Sequence, residues 1–194
     1  METNNNNIEL VLIGGSAGSL QVILEMIKNL DEKISFPIIL IVHRKAQSVS
    51  VLPNLLQQFS SMEVIEIEDK TEIQNNKLYI VPADYHLLFE SKKMVSLDSS
   101  EKMNYSRPSI DVTFKSAAEI YGEHLIGILL SGANADGVEG LQYIKKNKGT
   151  VWIQDPETAE VSYMPKHALE AVAYDLIITP DNLPVHINQL NTIK

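Results

Sequence analysis

The feature that most constrains this chain is an alternation: short, strongly apolar runs of strand length are separated by stretches whose apolar residues fall at helical spacing. The first run covers 8–13, interrupted only by Glu9, and the second covers 36–42. Further runs cover 125–130, 150–154 and 176–178. Between them, Leu20, Ile23, Leu24, Ile27 and Leu30 mark a helix, and Leu52, Leu55, Leu56 and Phe59 lie on one face of another over 48–59. Helices are also predicted over 109–121, 137–147, 164–173 and 183–190. Strands that read as continuous apolar runs are covered on both faces, which is the property of parallel sheets. The expected fold is therefore α/β: a doubly wound, mostly parallel sheet with helices on both faces. The stretch 62–100 breaks the rhythm, with strands at 62–67 and 78–81 and a hairpin from 85–89 and 94–97, and predicts a small antiparallel extension.

Length and composition narrow the classes of function. At 194 residues the chain suits one domain over 8–194, preceded by a polar, disordered lead-in over 1–7. With no cysteine, a thiolate nucleophile, a disulfide framework and a cysteine zinc site are excluded. No pair of histidines has ligand spacing, so neither a metal nor a cofactor is expected. The N-terminus lacks a secretory signal and no apolar run approaches membrane-spanning length, so a cytoplasmic protein without membrane insertion is expected. A net charge of −9 repels nucleic acid.

Three loops after strands carry the residues suited to chemistry. Gly14-Gly15-Ser16-Ala17-Gly18 fits the G-x-S-x-G pattern between a strand and a helix, where a serine oxygen stands beside free backbone N–H groups. The same residues also read as an ordinary glycine-rich turn with Ser16 or Ser19 as helix cap. A dinucleotide turn is a third reading, although Ser16 occupies a required glycine position; Arg44 would then meet a 2′-phosphate. His43 follows the second strand and stands as a general base for Ser16 if the two strands are neighbours. Asp136 follows the run 125–130 and reads either as a helix cap or as the group that orients His43. The chain order Ser–His–Asp differs from the Ser–Asp–His order of α/β-hydrolases. His86 reads as a structural residue near the cleft, Asp111 as a first-turn carboxylate favoured by the helix dipole, and Asp84 as a turn residue.

Taken in order, the motifs resemble the catalytic domain of the CheB-type protein-glutamate methylesterases, over about 8–190. They are Ile13 to Gly18 after the first strand, Val42-His43 after the second, and Tyr79-Ile80-Val81-Pro82-Ala83-Asp84-Tyr85-His86. Arg107-Pro108-Ser109-Ile110-Asp111-Val112, the loop Leu129 to Gly137, and the segments Gln154-Asp155 and Met164-Pro165 complete the set. The resemblance implies a serine esterase acting on glutamate γ-methyl esters of chemoreceptor cytoplasmic helices, with a related deamidation of receptor glutamines. It places the catalytic serine, histidine and aspartate on Ser16, His43 and Asp136, and backbone oxyanion contacts at Ala17, Ala133 and Asn134. Ala17 replaces a common threonine, and Ala133-Asn134 replaces Met-Gly. A stand-alone catalytic domain is expected, either constitutive or controlled by a partner such as a separate receiver protein. The alternatives are a serine hydrolase of another ester, or a module that binds receptor helices without catalysis.

Overall fold

A computed structural model describes residues 7–46 and 49–192. Seven strands form one sheet in the order β3-β4-β2-β1-β7-β8-β9, and all its pairings are parallel. They are β1 (Leu10–Gly15), β2 (Ile38–Val42), β3 (Glu63–Glu66), β4 (Lys77–Ile80), β7 (Leu125–Leu129), β8 (Thr150–Gln154) and β9 (Leu176–Ile178). β5 (His86–Phe89) and β6 (Val95–Asp98) form a separate antiparallel hairpin. The helices are α1 (Ser19–Lys28), α2 (Leu52–Gln57), α3 (Ile110–Tyr121), α4 (Val138–Lys146), α5 (Tyr163–Ala171) and α6 (Leu183–Leu190).

The side-chain alternation of β1 shows why every residue of the central strands is apolar. Leu10 and Leu12 enter a core shared with α3, α4, α5 and the hairpin, whereas Val11 and Ile13 enter one shared with α1, α2 and α6. Both faces of the sheet are thus covered, as the continuous runs require. Phe114 of α3 is fully buried in the first core, and Phe59 beyond α2 is 39% exposed.

One expectation is corrected. The strands near 62–67 and 78–81 do not belong to an antiparallel extension; β3 and β4 extend the main sheet in parallel, and only β5 and β6 are antiparallel. The β3–β4 crossover carries no helix. It runs as an extended segment alongside β6, where Ile73 N–H donates to the Lys93 carbonyl at 2.7 Å and Val95 N–H donates to Thr71 at 3.2 Å. Helical spacing, the usual sign of a parallel connection, is therefore missing from the sequence there. Residues 1–6 of the expected lead-in and Ser48 at the start of the second expected helix lie outside the described residues.

Phe114→Ala is expected to lower the unfolding free energy by about 3–5 kcal/mol through cavity formation. Phe59→Ala is expected to cost about 1 kcal/mol or less. Urea denaturation of both variants checks the pair, and equal losses would contradict the packing described.

Candidate active site

The chain enters the main sheet in its middle with β1, adds β2 beside it, places β3 at the edge and β4 between β2 and β3, and resumes on the other side of β1 with β7. Such a reversal leaves a crevice at the carboxyl ends of the strands on either side of it. Ser16 follows β1, His43 follows β2, and Asp136 lies in the loop after β7. Hydrogen bonding continues one step past the strands: His43 N–H donates to the Gly15 carbonyl at 3.1 Å, and Ser16 N–H to the Ser131 carbonyl at 2.9 Å. Parallel register thereby brings together three loops that are far apart in the chain. A Cβ on Gly132 would stand 3.0 Å from the Ser16 Cβ, so the loop after β7 lies against the serine.

The His43 ring is fixed by Asp136, with Nε2 and Oδ2 2.6 Å apart. Asp136 is completely buried and its carboxylate accepts from the start of α3. The donors are Ile110 N–H at 2.7 Å, Asp111 N–H at 3.0 Å and the Ser109 hydroxyl at 3.0 Å. Burial alone would raise its pKa, but the bonds from His43 and from the N–H groups of Asp111 and Ile110 outweigh that and hold it below the usual carboxylate range. An ionised Asp136 requires the His43 Nε2 to carry the proton, which leaves Nδ1 as the basic nitrogen. This reverses the serine-protease arrangement, where the carboxylate engages Nδ1.

Ser16, Ala17 and His43 line one cavity of about 310 Å³, whose remaining wall is largely aliphatic, including Leu20, Val42 and Leu52. Among the described residues Ser16 Oγ has no hydrogen-bond partner, so the serine and the ring face a common space without being bonded. Ala17 is held through its carbonyl by the Ser131 hydroxyl at 2.7 Å, and that hydroxyl also accepts Val161 N–H at 2.9 Å. Gly132 N–H is taken by the Val161 carbonyl at 3.1 Å. Among the described residues no hydrogen bond takes up the N–H of Ala17 or of Ala133. Ala133 and Asn134 do not line the serine cavity; Asn134 Oδ1 instead accepts Asp136 N–H at 3.1 Å and shapes the loop.

Sequence reasoning missed several supports. Asp111 is a partner of the site as well as a first-turn carboxylate: it accepts from Gly137 N–H at 3.0 Å and Gly140 N–H at 2.6 Å, at the start of α4. Asn104 Nδ2 bridges Asp111 at 2.9 Å and Asp136 at 3.3 Å. His86, expected as a structural residue, is buried, accepting Ser109 N–H at Nδ1 and donating from Nε2 to the Glu101 carbonyl at 2.9 Å. Gln154 receives Ser131 N–H at 2.9 Å, so the end of β8 supports the same loop. The positions of Ser109 and Asp111 in Arg107 to Val112 were the available signal; nothing in the sequence marked Asn104. Arg44, the candidate phosphate contact, is engaged by Glu66 at 2.7 Å and Ser50 at 2.8 Å. Among the described residues no cluster of His, Asp and Glu is arranged to hold a metal.

Asp111 yields a pH prediction. Burial chiefly, with the neighbouring charge of Asp136, pushes its pKa up to about 6 against the opposing bond from Gly140 N–H. A carboxyl raised in the folded state adds stability that is complete below its unfolded pKa and is lost as pH rises towards about 6. The depressed Asp136 acts in the opposite sense, and only at more acid pH. Asp111 should therefore make the protein more stable at pH 4.5 than at pH 7.5 by about 2 kcal/mol. Denaturant titrations of the wild type and Asp111→Asn should differ in this pH dependence; an unchanged slope in the variant would refute the assignment.

Comparison with known proteins agrees with this geometry. The CheB methylesterase family model matches residues 11–187. A Leptospira interrogans protein, whose name provisionally assigns it protein-glutamate methylesterase and protein-glutamine glutaminase activity, is 38% identical over 177 residues, covering 91% of this chain and 92% of its own length. The Thermotoga maritima protein-glutamate methylesterase/protein-glutamine glutaminase is 33% identical, and the match covers 94% of this chain and 54% of that protein. The crystal structure of the Thermotoga maritima CheB methylesterase catalytic domain superposes with a TM-score of 0.89 at 33% identity, covering 94% of this chain and 98% of that one. With the fold, the order of motifs and the family match in agreement, the chain belongs to the CheB methylesterase family.

Proposed function

We propose that the chain is a protein-glutamate methylesterase that hydrolyses glutamate γ-methyl esters on chemoreceptor cytoplasmic helices, releases methanol, and deamidates receptor glutamines by the same acyl chemistry. The observation that carries the reading is the His43–Asp136 contact of 2.6 Å beside Ser16, at the strand ends of a CheB-family fold. His43 takes the Ser16 proton at Nδ1 while the serine oxygen attacks the ester carbonyl. The negative charge of Asp136 stabilises the imidazolium through Nε2. The N–H of Ala17, which lines the serine cavity, receives the developing oxyanion, a contribution of about 3–4 kcal/mol for a donor of this kind. His43 returns the proton to methanol as the C–O bond breaks, and water, deprotonated by the same ring, releases the glutamate and restores Ser16. With a glutamine substrate, ammonia leaves instead.

Residues 8–194 would act as a single catalytic domain in the cytoplasm, where its receptor segments lie, and a separate receiver protein would regulate it. No described helix is long and apolar enough to cross a membrane. The aliphatic wall of the serine cavity fits the methylene stem and methyl group of the ester. Alone it would also suit a small-molecule ester; family membership weighs for the receptor glutamate.

Methanol release from methylated receptor helices should fall by about 10⁴-fold or more in Ser16→Ala, with the unfolding transition unchanged. Asp136→Asn should lose activity and also about 2 kcal/mol or more of stability, because its carboxylate caps α3. If the intact protein released no methanol from receptors of its own organism, the methylesterase reading would fail.

A further inference from the structure

His43 forms part of two cavities. One contains Ser16 and is mostly aliphatic; the other, of about 440 Å³, shares His43, Arg44 and Lys45 with it and adds Lys102 and Arg107, with Asp84 the one acidic residue among its described lining. This concentration of positive charge stands out on a chain of net charge −9. Arg44 is compensated by Glu66. Among the described residues, however, neither Lys45 nor Lys102 has a salt-bridge partner. Arg107 is oriented by two bonds of 2.8 Å from Nη1 to the carbonyls of Ser99 and Ser100. Its nearest carboxylate, Asp84, is 3.8 Å from Nη2, beyond hydrogen-bond length, and its Nε–H is buried without a partner. With its Nε buried out of a ligand's reach, Arg107 adds positive charge to the cavity wall, and the ammonium groups open to an incoming carboxylate are those of the exposed Lys45 and Lys102.

We propose that this second cavity is a carboxylate subsite of the substrate, taking an acidic side chain that lies one helical turn from the ester. The inference rests on the methylesterase reading above and adds its specificity. On a helix, residues three or four apart project side by side, about 5–6 Å between Cβ atoms. An ester seated over Ser16 then places its neighbour on the far side of the His43 ring, over Lys45, Lys102 and Arg107. The subsite selects ester positions followed or preceded by Glu or Asp at that spacing, and it disfavours a lysine there.

The test uses length-matched helical peptides that carry one glutamyl γ-methyl ester, with Glu or Gln placed one turn before or after it. Methanol release is measured with the full chain at low and at high salt. With the Glu neighbour on one side, KM should be about tenfold lower than for Gln, with kcat little changed. The difference should shrink as salt rises, and Lys45→Ala/Lys102→Ala should treat the two peptides alike. Both lysines are exposed, so this double variant is not expected to unfold the protein, unlike a change at Arg107. Equal KM values for Glu and Gln peptides on both sides, or a preference that persists in the double lysine variant, would overturn the subsite while leaving the esterase intact. No methanol from any peptide or from intact methylated receptors would overturn the methylesterase reading and the subsite together.

Discussion

The site depends on one buried carboxylate held at a helix terminus. Asp136 receives the N–H groups of Ile110 and Asp111 and the hydroxyl of Ser109, so it occupies the positive end of the α3 dipole. Asp111, in the first turn of that helix, accepts N–H groups of Gly137 and Gly140 at the start of α4. Each helix is therefore capped by an acidic residue belonging to the other, and α3 and α4 are locked in register at their N-termini. These N–H groups have no partner within their own helices, so burying them without acceptors would be costly. The same bonds keep Asp136 ionised in a fully buried position. Close packing permits the arrangement: a Cβ on Gly14 would fall 2.5 Å from Ile110 Cγ2, so the α3 terminus sits directly over β1.

From that anchor the chemistry follows by geometry. Asp136 engages Nε2 of His43, which leaves Nδ1 free of the carboxylate. That contact orients the ring, as the general-base role proposed for His43 requires. The ring borders a mostly aliphatic space with the serine and a more cationic one, and the two share Arg44 and Lys45.

Much of this was legible in the residues. The apolar runs and helical spacings located nearly every element, because strands buried on both faces read as continuous apolar runs between helically spaced segments. The strand–turn–helix position of Ser16 and the loops bearing His43 and Asp136 were also readable, since sites in such sheets lie at strand ends. The Asp136 alternatives, helix cap or partner of His43, turned out not to compete. The residue does both, but it caps α3 rather than the helix that follows it in sequence. Asn104 was invisible because its role arises only from meeting two carboxylates in space.

By itself the sequence determined the alternating α/β layout, the turn that presents Ser16 and the absence of thiol chemistry, since these depend on local pattern and composition. Only the tertiary structure decided that β3 and β4 join the sheet in parallel, that Asp136 meets Nε2 of His43, and that basic residues from two loops share one cavity with His43. Those outcomes depend on contacts between residues far apart in the chain. Such contacts are selected by register and by the need to satisfy buried polar groups, and neither leaves a local signature.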